Sequence, residues 1–388
     1  MKKLFFIGLI GLGYFEILKI YFIMPMPGSQ QWAFLEFAYF LHSYRWVLRA
    51  FFLGLILLGS KNAFSTSPNW VPVLGIAAVL AICLFFNYKM IAERMFLEPK
   101  NLSFSTGNSA ALADSSLVIV VEHAGEAKAY PIRYIAYHHQ VRDVLGGKEI
   151  MVTYCSVCRT GRVFEPMVKG QPESFRLVGM DHFNAMFEDQ TTGTWWQQAN
   201  GEGIIGPLKG ETLPELESSQ LTLGKFLSLY PNGKVMDPDP DFLHKYDSLG
   251  KYEFGLIKSK LTGTDILSWK EKSWIVGISI NGQAKAYDWN LLKTNKIIHD
   301  QMDILPVLLI LSQDGQSFAA FKRTHKDQVF HLKNDTLFTD QATFDFTGKS
   351  LNHNSKDLEK LPAYQEFWHS WRTFHPFTET HNLIEPLL

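Results

Sequence analysis

Three apolar runs, Leu4–Met24, Trp46–Leu58 and Val71–Phe86, all fall within the first hundred residues, and nothing comparable follows them. A helix needs about 20 mostly apolar residues to cross a bilayer. Leu4–Met24 meets that length despite Glu16 and Lys19, which stand three apart on one helical face and can pair there. The second run is short unless it extends back through Trp32, Phe34, Phe37 and Phe40, and Arg49 inside it must snorkel or face a neighbouring helix. Trp70 and Tyr88 flank the third run as the aromatic edges of an interfacial belt, and Pro25-Met26-Pro27-Gly28 marks a turn after the first. The expectation is a membrane region over residues 1–100 with about three transmembrane helices. A cleaved signal peptide is the rival reading of the first run, since Lys2 and Lys3 precede it, but no small-residue cleavage site follows. Lys2, Lys3 and Lys61 on one side face Arg45, Lys89, Arg94 and Lys100 on the other, so the positive-inside count does not fix the orientation.

Only 19% of the residues are charged, and 37 Lys+Arg stand against 38 Asp+Glu. That balance excludes a protein that binds nucleic acid mainly through its phosphates. The chain also lacks the low hydrophobicity and high net charge of a disordered sequence. Three cysteines are too few for a disulfide-stapled scaffold. Cys83 lies in an apolar run, which leaves Cys155 and Cys158 as a single Cys-x-x-Cys pair.

The remainder repeats itself. Gly125-Glu126-Ala127-Lys128-Ala129-Tyr130 recurs as Gly282-Gln283-Ala284-Lys285-Ala286-Tyr287, and in the same register Asp143 falls on Asp300. Further on, Asp189-Gln190-Thr191-Thr192 matches Asp340-Gln341-Ala342-Thr343, Leu213-Pro214 matches Leu361-Pro362, and Pro231 matches Pro376, with an offset that shrinks steadily as small loop deletions would make it. Such self-similarity points to a tandem duplication, with a first repeat over 103–240, a second over 255–388, and a linker opening at Pro238-Asp239-Pro240. Within a copy, Leu117–Val121 and Ala127–Pro131 form a hairpin pattern. Glu149–Tyr154, Arg162–Met167 and Ser174–Val178 are further strand-like runs, and Gly146-Gly147 supplies a tight turn. Tyr134–Val144 and Tyr364–Phe374 carry a helical pattern. The fold class expected is mainly β, a β-rich α+β arrangement of two tandem strand-rich repeats behind a bundle of about three transmembrane helices.

Chemistry concentrates at Thr153-Tyr154-Cys155-Ser156-Val157-Cys158-Arg159-Thr160-Gly161. Two thiols at this spacing converge on one point, which suits a soft metal such as Cu or Zn, a disulfide, or both in turn. The register-equivalent positions of the second copy are Ser312 and Gly315, so a site of this kind belongs to the first repeat alone. His139, just ahead of the strand that delivers Cys155, is the candidate third ligand; His138, Asp143 and His182 are further candidate ligands or supporting groups. Arg159 could lower a thiol pKa for disulfide exchange, although no helix opens at the motif as a thioredoxin-like site requires. A structural disulfide closing the turn is the bland alternative. Asp189-Gln190-Thr191-Thr192-Gly193-Thr194-Trp195-Trp196 reads as a side-chain-stabilised turn leading into a strand, with Asp189, Trp195 and Trp196 as a candidate ligand surface. No phosphate-binding Gly-rich loop, His-Glu-x-x-His or nucleophile elbow is present, and no catalytic residue is assigned.

Taken in order, Ala129-Tyr130-Pro131, His139-Gln140-Val141-Arg142-Asp143, Gly146-Gly147, Val152-Thr153-Tyr154-Cys155-Ser156-Val157-Cys158, Val163-Phe164 and Asp189-Gln190-Thr191-Thr192-Gly193-Thr194-Trp195 resemble the bacterial family named domain of unknown function 3179. The resemblance covers residues 110–240, and 255–385 as a weaker second copy. Family members commonly carry His-Glu and Tyr-Cys-Pro-Leu-Cys, so Gln140, Arg142, Ser156 and Val157 depart from the usual letters, and Gln140 removes a carboxylate. The resemblance implies an exported or membrane-tethered protein, here a multi-pass protein of the bacterial inner membrane with its repeats extracytoplasmic. Two functions remain open: soft-metal binding or redox work at the thiols, or a non-catalytic binding and scaffold module with a small-molecule, glycan or peptide ligand and a locked disulfide.

Overall fold

A computed structural model describes residues 1–107, 112–352 and 355–381. Contacts divide the chain into two units, one of residues 1–97 with 168–212 and the other of 98–167 with 213–388.

The first unit contains α1 (Lys2–Tyr21), α2 (Leu35–Ser43), α3 (Arg45–Thr66) and α4 (Trp70–Tyr88). Of these, α1, α3 and α4 are long and apolar enough to cross a membrane. The second span reaches full length by running forward from Arg45 to Thr66, not back through the aromatics around Trp32. Helical backbone is interrupted at Tyr44 (ψ 15°), so Phe37 and Phe40 belong to the separate α2. Helix α1 packs against both other spans, and it meets α3 so closely that a Cβ on Gly59 would lie 2.3 Å from the Phe5 amide nitrogen. Small residues permit such backbone contact between membrane helices. The charges of the apolar runs neutralise one another: the Glu16 carboxylate accepts from Lys19 at 2.9 Å, Arg49 at 2.6 Å and Asn87 at 2.7 Å.

Four antiparallel strands, Phe175–Asp181, Asn184–Asp189, Trp195–Gln197 and Gly203–Ile205, complete this unit. They are stitched to the helical part by Met180 N donating to Ile23 O (2.8 Å) and Tyr39 Oη donating to Gly193 O (3.1 Å). Glu188 accepts from Trp195 Nε1 and from Arg176, both at 2.7 Å, beside His42 Nε2 at 3.3 Å. Burial alone would raise its pKa, but the bonds from His42, Arg176 and Trp195 outweigh that and hold it at about 2.

In the second unit, Leu117–His123 and Glu126–Pro131 pair as the expected hairpin. Ser218–Thr222 adds antiparallel on one side and Lys234–Met236 parallel on the other, with Phe104–Thr106 at the edge. A helix, Ile132–His138, leads to a second sheet of Gln140–Leu145, Lys148–Cys155 and Thr160–Phe164. The same order recurs downstream: hairpin Trp274–Ile280 with Gln283–Asp288, helix Trp289–Asn295, and strands Ile297–Met302, Leu305–Leu311 and Phe318–Lys322. Ala363–Phe367 and Glu379–Thr380 flank that hairpin, antiparallel and parallel, in the same strand order as before. Lys128 pairs with Asp143 at 2.6 Å, and Lys285 with Asp300 at 2.8 Å.

Two helical segments are shorter than their sequence pattern. The helix before the thiols ends at His138, because His139 takes left-handed backbone (φ 60°) and turns the chain into the strand Gln140–Leu145. In the aromatic stripe, Ala363–Phe367 is strand and only Trp368–Phe374 is helix. Tyr364 and Phe367 on the strand and Trp371 on the helix are buried, so the stripe marks core on both sides of that junction.

Gly277 has no room for a side chain, since a Cβ would lie 2.2 Å from the fully buried Trp371 ring. Gly277→Ala is expected to destabilise the protein by roughly 1–3 kcal/mol, as overpacking a core does, read as a lower midpoint in thermal unfolding of the full chain. In the first unit, Glu188 loses its stabilising charge as pH falls from its ordinary 4.5 through about 2, so acid should loosen this unit across that window. Glu188→Gln should flatten that part of the acid titration followed by tryptophan fluorescence.

Candidate functional site: the thiol hairpin

The strand Lys148–Cys155 delivers Cys155 opposite Thr160, and residues 156–159 form the connecting turn, so both thiols sit at the tip of a β-hairpin. A strand, Thr160–Phe164, follows the pair, so no helix opens at the motif itself. Cys155 and Cys158 are both buried and near each other but not bonded. Arg159 closes the turn in left-handed backbone (φ 58°).

Residues from beyond 250 enclose this loop. Phe367 N donates to Cys158 O at 2.9 Å. Lys272 Nζ donates to Val157 O at 2.8 Å and stands 3.0 Å from His369 Nε2, which itself is 3.2 Å from Val157 O. Burial pulls Lys272 below the usual lysine range, while negative charge on Cys158 and Cys155 would draw it back up. Burial and the Lys272 charge push His369 down to about 3, so this imidazole is neutral and able to accept from the ammonium. Ser156 and Lys272 are only partly buried and form the solvent side of the site.

Arg159 is fully buried. Its guanidinium lies 3.6 Å from the Trp274 ring centroid and donates to Gln365 Oε1 (2.9 Å), Tyr252 O (3.3 Å) and Glu253 O (2.6 Å). It therefore anchors the loop, and Lys272 is a second cation beside it, one that charge on the thiols would draw up. Arg162 forms a buried ion pair with Glu366 at 3.0 Å, and Glu366 also accepts from Thr160 Oγ1.

The other expected site residues are dispersed. His139 is buried, and its Nδ1 donates to Tyr154 O at 2.7 Å; burial lowers its pKa to about 4. Among the described residues no group of three or more His, Cys, Asp or Glu side chains could hold a metal ion, so the anticipated set of Cys155, Cys158 and His139 is not gathered as three ligands. His138 Nε2 contacts Tyr246 Oη at 2.6 Å, and Asp143 is held by Lys128 and Tyr130. His182 belongs to the first unit, beside Asp181 at 2.9 Å. Asp189 stabilises its turn as expected, accepting from Thr192 Oγ1 at 2.7 Å. Trp195 and Trp196, however, are buried, with their N–H groups donated to Glu188 and Asp189, so they build core and not an open aromatic surface.

Lys272 and His369 were not legible as site residues, because their distance in sequence from the cysteines carries no motif spacing. The available signal was that Gln365, Glu366 and His369 interrupt an aromatic stripe that otherwise reads as core.

A family model described as Protein of unknown function (DUF3179) matches residues 99–378. No curated protein and no solved structure matches the chain.

If the Lys272 charge acts on the thiols, Lys272→Met should move the pH profile of alkylation at Cys155 and Cys158 to higher pH, read by mass spectrometry of the 155–158 peptide. An unmoved profile would show that the ammonium does not act on them.

Proposed function

The chain belongs to the DUF3179 family, and we propose that it is a membrane-anchored protein whose Cys155–Cys158 hairpin binds a soft monovalent metal ion, Cu(I), between two thiolates. The observation that carries this reading is a pair of adjacent unbonded thiols on a hairpin tip, next to a lysine ammonium and without a third ligand of the usual kinds among the described residues. Thiolates select soft ions, and a closed zinc site needs four ligands while a catalytic one needs three. Cu(I) is satisfied by two sulfurs. Two thiolates with one Cu(I) leave a single negative charge, which the Lys272 ammonium matches. The strand that follows the cysteines, where a thioredoxin-like site has a helix, weighs against an exchange site of that kind.

In this reading the repeats lie outside the cytoplasm, where copper is handled; the three apolar helices are compatible with membrane anchoring. The recurring element order and the paired Lys128–Asp143 and Lys285–Asp300 support a tandem duplication in which the second copy kept the framework and lost the thiols.

Titration of the full chain in detergent with Cu(I) against a competing chelator is expected to give one ion per chain. Cys155→Ser and Cys158→Ser should each abolish it, and His139→Asn should leave it intact. Stoichiometric binding that survives in the double serine variant would refute the assignment.

A further inference from the structure

Two cavities in the first unit meet at the upper end of the apolar helices. One, of about 670 Å³, is a groove among α1, α3 and α4 with walls such as Leu12, Leu53, Ile76 and Leu80, and it ends at Arg49, Asn87 and Arg94. The other, of about 270 Å³, shares Arg49, Asn87 and Ile91 with the groove and is lined by Lys19, Arg45, Arg176, Glu93 and Glu188. An apolar slot thus opens into a chamber where four cations face two carboxylates.

Most of those cations are already committed. Lys19 and Arg49 pair with Glu16, and Arg176 with Glu188 and Glu93. Arg45 and Arg94 have no carboxylate within ion-pair distance among the described residues. Arg45 Nη1 donates to His42 O at 2.6 Å, and the Arg94 guanidinium lies 4.5 Å from the Tyr88 ring centroid. Each cavity therefore holds one cation whose charge is unmatched. Trp46 and Tyr88, residues favoured at the bilayer surface, line the groove beside them.

We propose that this pair of cavities is a binding site for a phospholipid of net negative headgroup charge, with the acyl chain in the groove and the headgroup at the end that carries Arg45 and Arg94. A hydrocarbon chain is the occupant that suits the apolar walls at membrane depth, and an anionic headgroup is what two unmatched guanidinium groups select through charge-assisted hydrogen bonds. The site is independent of the thiol hairpin.

The test uses delipidated full-length protein in a neutral detergent, with binding of phosphatidylglycerol, phosphatidylcholine and inorganic phosphate followed by native mass spectrometry. Phosphatidylglycerol is expected to bind about tenfold more tightly than phosphatidylcholine, the difference one charge-assisted contact supplies. Arg45→Gln and Arg94→Gln should each erase most of that preference. Arg94 lies outside the spanning helices and contacts Tyr88, so its variant keeps the test decisive if Arg45→Gln does not fold. Equal binding of the two lipids would mean ordinary annular lipid. Inorganic phosphate displacing phosphatidylglycerol at equal concentration would mean a free-anion site. Either result, or a preference retained in Arg94→Gln, overturns the proposal.

Discussion

The buried guanidinium of Arg159 is the interaction on which the thiol hairpin depends. Taking a cation out of water costs several kcal/mol unless its donors are satisfied, and here Tyr252 O, Glu253 O and Gln365 Oε1 accept from it. The Trp274 ring stacks over the same group. A residue adjacent to Cys158 is thus solvated by groups about a hundred and two hundred residues further along the chain. Thr160 and Arg162, two and four residues beyond Cys158, repeat the pattern on Glu366. Residues beyond 250 supply the polar groups, the Phe367 amide and the Lys272 ammonium that surround the thiol hairpin. If the chain arose by duplication, as proposed above, divergence has divided the work: one copy presents sulfur and the other holds it.

The same rule governs the membrane helices, where Glu16 gathers Lys19, Arg49 and Asn87. In both units a buried charge is held by a network that joins elements far apart in sequence. Local spacing therefore showed only the Glu16–Lys19 part of the one and nothing of the other. Periodicity, a local property, revealed the spans, the hairpin pattern and the strand after Cys158. It also revealed the recurring Lys128 and Lys285 registers.

The failures of the sequence reading have the same origin. His139 looked like a ligand because it precedes the cysteine strand, but its left-handed backbone makes it a helix terminator whose ring bonds the Tyr154 carbonyl. Trp195 and Trp196 alternate as strand residues should, yet both are covered, since the sheet carrying them packs on helices more than a hundred residues earlier. Period-2 alternation identifies a strand; it does not tell which face stays open when both are covered. The Trp32–Phe40 aromatics could extend a span or form their own helix, and the backbone break at Tyr44 decides it.

The make-up of the first unit from residues 1–97 and 168–212 carries a consequence for how the chain is made. Synthesis proceeds from the N-terminus, and domains generally fold as units as they emerge. Here the apolar helices leave the ribosome first but cannot acquire their partner sheet until residue 212 has followed. In between, residues 98–167 appear, including both hairpin cysteines, before Lys272, Gln365 and Phe367 exist to enclose them. Each unit must wait for chain that belongs, in order of synthesis, to the other side of its neighbour, so the thiols stay uncovered until the residues that enclose them have followed.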